Sequence, residues 1–242
     1  MKYLLESVFV LIVLANVQLM EGNYLISNDL LLWCFFIGPF ISLSVVAAKA
    51  RYVTCGSVLK LINVDYKSRL HSHDVKYGTG SGQQSVTGIE VSEDVNSHWA
   101  IKAKTGKSCE RGEPIRCGQE IRLQHISTNK NLHSHIFSSP LSGSQAQEVS
   151  AYGDEGGLGD TGDHWEVICS GEEWHRDDKV QFKHLDTQKF LGMSGRSFGR
   201  PISGQMEVVG LSSPYTGSEW LASEGLFIHP KEVINNNIHS EL

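Results

Sequence analysis

No Cys-x-x-Cys pair occurs in these 242 residues, so the five cysteines offer no dithiol couple of the kind redox catalysts use. Basic residues are in the minority, with 21 Lys and Arg against 27 Asp and Glu and a formal charge of −6. Without a strongly positive face to neutralise phosphates, nucleic acid is excluded as the principal partner. From Arg51 onward no sustained 3.6-residue apolar stripe appears, so little helix is expected. Catalytic signatures are missing too: there is no zincin motif and no cysteine paired with a histidine as nucleophile and base, and Gly195-Arg196-Ser197-Phe198-Gly199, which matches Gly-x-Ser-x-Gly, is not followed by the helical pattern that a nucleophile elbow needs. Thr105-Gly106-Lys107-Ser108 imitates the end of a phosphate-binding loop, but Ile101 stands where that loop requires glycine. The expectation is a chain with no catalytic residue, no metal and no cofactor.

The ends of the chain carry addresses. Two apolar runs, Tyr3 to Met20 and Leu30 to Ala48, flank the polar patch Glu21-Gly22-Asn23. The second contains Gly38-Pro39 and ends Ala48-Lys49-Ala50, with small residues where signal peptidase requires them. Residues 1–50 read as a secretory leader cleaved near Ala50, with Met20 an alternative start and no stable membrane insertion after cleavage. The competing reading is one or two retained spanning helices, since both runs reach spanning length. Cys34 would leave with the leader, whereas Cys55, Cys109, Cys117 and Cys169 stay, an even number suited to disulfides. Residues 231–242 form a polar tail that closes on His239-Ser240-Glu241-Leu242, similar to a KDEL/HDEL retrieval signal with serine in place of aspartate. Together these point to the lumen of the endoplasmic reticulum.

Between the addresses, residues 51–230 repeat themselves three times, at about 51–104, 105–169 and 170–230. Aligned without a gap, one stretch of each copy reads LKLINVDYKSRL, IRLQHISTNKNL and VQFKHLDTQKFL. Apolar residues coincide at Leu59, Ile121 and Val180, at Leu61, Leu123 and Phe182, and at Leu70, Leu132 and Leu191. Each copy then closes on a tryptophan, Trp99, Trp165 and Trp220, and these positions together form the expected core. Short alternating runs broken by turn residues predict about four strands per copy and about twelve in all. Four strands alone would leave an apolar face wet, whereas three sets packed about a common axis can close a barrel and remove the open edges. Four cysteines allow three pairings. If the first and last strands of a repeat are antiparallel neighbours, Cys55–Cys109 and Cys117–Cys169 each clasp one lobe, worth roughly 3–4 kcal/mol apiece.

Leu70-His71-Ser72-His73 and Leu132-His133-Ser134-His135 put two histidines on one strand face, but the third copy has Leu191-Gly192-Met193-Ser194. That gap spoils a threefold metal site, and structural histidines bonded to backbone are expected instead. The glycine-rich loop with Asp154, Glu155, Asp160 and Asp163 lacks the spacing of a calcium-binding hand. Aromatics judged to lie outside the repeat, Tyr77, Tyr152, Trp174 and Tyr215, are the candidates for an exposed ligand or partner surface.

The repeated Leu-His-Ser-His, the Gln and Val that follow and the closing His98-Trp99 and His164-Trp165 resemble MIR motifs, units shared by protein O-mannosyltransferases, inositol trisphosphate receptors and ryanodine receptors. With a leader, three repeats and a retrieval tail, the chain is similar to the stromal cell-derived factor 2 family. That resemblance implies a β-trefoil. It also implies a non-enzymatic lumenal module that assists folding beside a DnaJ-type co-chaperone and the lumenal Hsp70, on misfolded or O-mannosylated clients. The runner-up is a lectin-like trefoil that recognises mannosylated peptides, a reading based on fold analogy.

Overall fold

Alternation settles the strand that opens the second repeat: in Glu120–His125 the side chains of Ile121, Leu123 and His125 are buried and the intervening ones half-buried. Its counterparts are Val58–Asn63 and Gln181–His184, which bury Leu59, Leu61 and Asn63, and Phe182 and His184. The computed structural model describes residues 51–154 and 156–229. The expected leader, residues 1–50, and the tail bearing His239, Ser240, Glu241 and Leu242 lie outside the described residues.

The first repeat supplies β1 (Val58–Asn63), β2 (Arg69–Lys76), β3 (Gln84–Ile89) and β4 (Trp99–Ala103). The second supplies β5 (Glu120–His125), β6 (Asn131–Ser139), β7 (Gly143–Tyr152) and β8 (Trp165–Ile168). The third supplies β9 (Gln181–His184), β10 (Phe190–Ser197), β11 (Met206–Leu211) and β12 (Trp220–Leu226). Short 3₁₀ turns, Val95–Ser97 and Thr161–Asp163, lead into β4 and β8. After each opening strand the chain turns identically: Lys67, Asn129 and Gln188 take left-handed φ values of 55, 58 and 59°. Of these types only asparagine favours that region, so at Lys67 and Gln188 the repeat geometry overrides local preference.

The strands pair across repeats as well as within them. β1 pairs with β4, β4 with β5, β5 with β8, β8 with β9, and β12 with β1, while a Val180–Trp220 bridge closes the ring. The hairpins β2–β3, β6–β7 and β10–β11 join one another through β3–β7, β3–β11 and β7–β11. All twelve strands belong to one sheet. The expected β-trefoil is therefore corrected: the chain is all-β and twelve-stranded, but it closes as a single β-barrel. The reason is the cross-repeat pairing, which satisfies strand edges that separate lobes would leave open.

The twelve expected core positions, from Leu59 to Trp220, lie in one buried cluster. The three repeat tryptophans are fully buried, and each indole N–H donates to the leucine carbonyl of its own repeat: Trp99 to Leu70 at 2.8 Å, Trp165 to Leu132 at 2.9 Å and Trp220 to Leu191 at 2.9 Å. Burying an indole without stranding its donor is what lets so large a side chain occupy the core. At one end of the barrel a backbone triangle links the repeats, with Val53 N–H to Trp174 O at 2.9 Å, Ile115 N–H to Val53 O at 3.0 Å and Trp174 N–H to Ile115 O at 2.7 Å. Disulfides join Cys55 to Cys109 and Cys117 to Cys169. β1 and β4, and β5 and β8, are antiparallel neighbours, the condition on which those pairings depend.

Candidate functional site

The side chains that carry chemistry fall into three sets, built on equivalent positions of the repeats. The first ends the opening strands. Asn63 Nδ2 donates to Gly217 O at 2.6 Å, His125 Nε2 lies 2.8 Å from Asn96 O, and His184 Nε2 lies 2.8 Å from Gly162 O. Each accepting carbonyl precedes the tryptophan of the preceding repeat, and the first repeat reaches back to the third. In the two histidines Nδ1 accepts from a threonine, Thr128 or Thr187, at 2.9 Å, which fixes the neutral tautomer. Their rings pack on Trp99 and Trp165 with centroids 5.0 and 4.8 Å apart. Burial lowers the pKa of both, that of His125 to about 4. These groups are cyclic ties. Sequence reasoning passed over them, although His125 and His184 share a column in the aligned repeats.

The second set is the paired histidines. In the first repeat Asp94 Oδ2 accepts from His71 Nδ1 at 2.8 Å and from Ser97 Oγ at 2.6 Å. His71 Nε2 lies 2.7 Å from His73 Nδ1. Burial pushes the Asp94 carboxyl up, but the hydrogen bonds from Ser97 and His71 outweigh it and hold it below the usual range. Burial, then the neighbouring His71, lowers His73. With Asp94 ionised, His71 donates from Nδ1 and accepts at Nε2 from His73. This Asp–His–His chain ends 3.5 Å from Ser85 Oγ, which would resemble a hydrolase relay. Ser85, however, is buried and its hydroxyl donates to Val75 O at 2.8 Å, so it offers no exposed nucleophile. In the second repeat each histidine has its own carboxylate, His133 on Asp163 at 2.9 Å and His135 on Glu148 at 3.1 Å.

The third set is a pair of fully buried glutamates on β7 and β11. Each receives the hairpin loop of the preceding repeat. Ser81 donates to Glu148 from both its hydroxyl and its N–H. Glu207 accepts Leu141 N–H at 2.7 Å, Ser142 N–H at 3.2 Å, Ser142 Oγ at 2.6 Å and Ser194 Oγ at 2.7 Å. Multiple donors are what a buried carboxylate requires.

Ligand atoms of His133, Asp160 and Asp163 lie within 4.8 Å of one another. They are already engaged: Asp163 takes Asn131 Nδ2 at 3.1 Å, Asp160 N–H at 3.1 Å and the His133 ring, and caps the turn before Trp165. That donor set reads as a turn lock.

Of the four aromatics expected at the surface, two are there. Tyr152 is 40% exposed, with His133 at 5.0 Å between ring centroids, and Tyr215 is 54% exposed. The other two are corrected. Trp174 is fully buried, because it is the repeat partner of Val53 and Ile115 in the backbone triangle, and it packs edge-on against Phe182. Tyr77 is buried with its hydroxyl 2.9 and 3.0 Å from the carbonyls of Val86 and Val149, tying β3 to β7.

Among known proteins, the MIR domain family matches residues 52–168. Mouse stromal cell-derived factor 2 is 54% identical over 196 residues, which cover 81% of this chain and 92% of that protein. The crystal structure of the SDF2-like protein from Arabidopsis thaliana superposes with a TM-score of 0.71 at 44% identity, over 75% of this chain and 99% of that one. The S. cerevisiae protein O-mannosyltransferase Pmt1-Pmt2 complex bound to its sugar donor contains a similar region, with a TM-score of 0.68 and 27% identity, covering 76% of this chain and 27% of that one.

Proposed function

The chain belongs to the stromal cell-derived factor 2 family of MIR-domain proteins, and from that premise we propose that it is a non-enzymatic binding module of the endoplasmic reticulum lumen that assists protein folding. It acts beside a DnaJ-type co-chaperone and the lumenal Hsp70, and attends misfolded or O-mannosylated clients. The observation that carries this reading is the similarity to stromal cell-derived factor 2 over 81% of this chain and 92% of that protein, on a barrel clasped by two disulfides. Disulfides persist in oxidising compartments, which supports a secretory-pathway address. The buried histidines and carboxylates support it too, because every one described above is spent on holding turns and hairpins. A scaffold so fixed presents a constant surface, and the nucleotide cycle belongs to the partner. The similarity to an O-mannosyltransferase region supports mannosylated proteins as one class of client.

Isolation of the full chain, tail intact, from lumenal extract tests the assignment. Recovery of a J-domain protein with Hsp70 is expected; isolation of the chain alone, or its presence in cytosol, overturns it.

A further inference from the structure

The two disulfides are equivalent by repeat but not by cover. Cys55 and Cys117 each stand four residues before the first core position of their opening strand, Leu59 or Ile121, and each is followed by a glycine. Cys55 is 6% exposed and belongs to the core cluster. The chain at Ile228 straps over it: Ile228 O accepts from Thr54 Oγ1 at 2.6 Å, and Ile228 N–H donates to Ser57 Oγ at 3.1 Å. A Cβ on Gly56 would meet Ile228 and Arg111 at 3.4 Å. At the second disulfide Cys117 and Cys169 are both half-buried, and a Cβ on Gly118 or Gly171 would meet nothing within 4 Å among the described residues. A cavity of about 410 Å³ opens there, lined by Arg116, Cys117, Gly171, Glu172 and Glu173.

The third repeat shows that this clasp can be made without a covalent bond. Arg176 stands four residues before Val180, in the column of the two cysteines. Its guanidinium lies over the Phe227 ring, 3.5 Å from the centroid, and donates to Ser223 O at 3.2 Å. Breaking the second disulfide would therefore loosen one rim of a barrel that already holds the same position by a cation–π contact elsewhere. Across that rim Cys117 N–H also donates to Glu172 O at 2.9 Å, a tie independent of the sulfurs.

We propose that Cys117 is a modification site, open to exchange with a small thiol that carries an ammonium group. The thiolate attacks Cys117 Sγ from the cavity. A mixed disulfide forms as the Cys117–Cys169 bond breaks, and the electron pair leaves on Cys169 Sγ, which water protonates. One disulfide and one thiol give one disulfide and one thiol, so no oxidant or reductant is consumed. Arg116 draws the attacking thiolate, while Glu172 and Glu173 favour an ammonium and oppose a second negative charge on the reagent. The volume lies within the roughly 300–1,000 Å³ of small-molecule sites.

Native full chain is treated with cysteamine or mercaptoethanesulfonate at matched thiolate concentration, then acid-quenched, alkylated and mapped by peptide mass spectrometry. Cys117–Cys169 should open at least about tenfold faster than Cys55–Cys109, with the adduct on Cys117, the free thiol on Cys169 and a rate that dilute urea leaves unchanged. Cysteamine should outpace mercaptoethanesulfonate, and Glu172→Gln should narrow that difference. Ile228→Ala should speed the opening of Cys55–Cys109 alone. The two bonds opening together, an adduct on Cys169, or a rate that climbs with urea as unfolding does overturns the site. Equal rates for the two reagents overturn the ligand class.

Discussion

Acid should loosen this barrel well before its carboxylates protonate. His125 is neutral in the fold, donating to Asn96 O and accepting from Thr128, and burial depresses its pKa from 6.5 to about 4. The unfolded chain thus binds a proton that the folded chain refuses, and stability must fall as pH drops through the interval between those values. The contribution is complete above pH 6.5, is reduced by about 1.4 kcal/mol at pH 5.5, and is lost to the extent of about 3 kcal/mol below pH 4. For a domain of this size the loss at pH 5.5 lowers the melting temperature by about 3–6 °C. His184 shifts in the same direction and steepens the slope. Asp94, held below its usual range, adds its share only at still lower pH. Melting or urea curves at pH 7.5 and 5.5, with disulfides intact, give the measurement. His125→Asn copies Asn63 of the first repeat; it should be less stable at pH 7.5, having lost the ring on Trp99, but should show a flatter pH dependence. An unchanged slope in that variant, or a wild type that gains stability on acidification, refutes the reasoning.

Two further outcomes follow from the ties that hold the barrel together. Replacing Cys117 and Cys169 by serine opens a loop of sequence separation 52 and should cost about 4 kcal/mol in urea unfolding, with a similar loss for the Cys55–Cys109 pair at separation 54. Glu207→Gln turns an amide donor toward groups that already donate; it should cost about 1–3 kcal/mol and raise hydrogen exchange at Leu141 and Ser142 before the rest of the barrel.

How much of this was legible in the chain depends on which signal a residue carried. Leu59, Ile121 and Val180 and their companions were legible because period-two burial and the repeat coincide, and the tryptophans because they close every copy. Trp174 was misread because its repeat partners are Val53 and Ile115: the shared property is a backbone triangle, and three unlike side chains hide it. Tyr77 was misread because it falls outside the aligned repeat positions, yet its phenol is satisfied inside by two strand carbonyls. Closure about a common axis was legible from the three copies, but the pairings that make it were not. Pairings such as β4–β5 and β1–β12 join the end of one repeat to the start of another, so no single copy carries them.

The claim on which the functional account depends is that the chain acts by holding clients and does no chemistry on them. Aggregation of a denatured glycoprotein, followed by light scattering with the purified full chain, a lumenal J-domain protein and Hsp70, addresses it most directly. Suppression that rises with the amount of chain and saturates near one chain per client is predicted, with the client recovered covalently unaltered. Suppression by trace amounts, or a client returned with a bond made or broken, would contradict it.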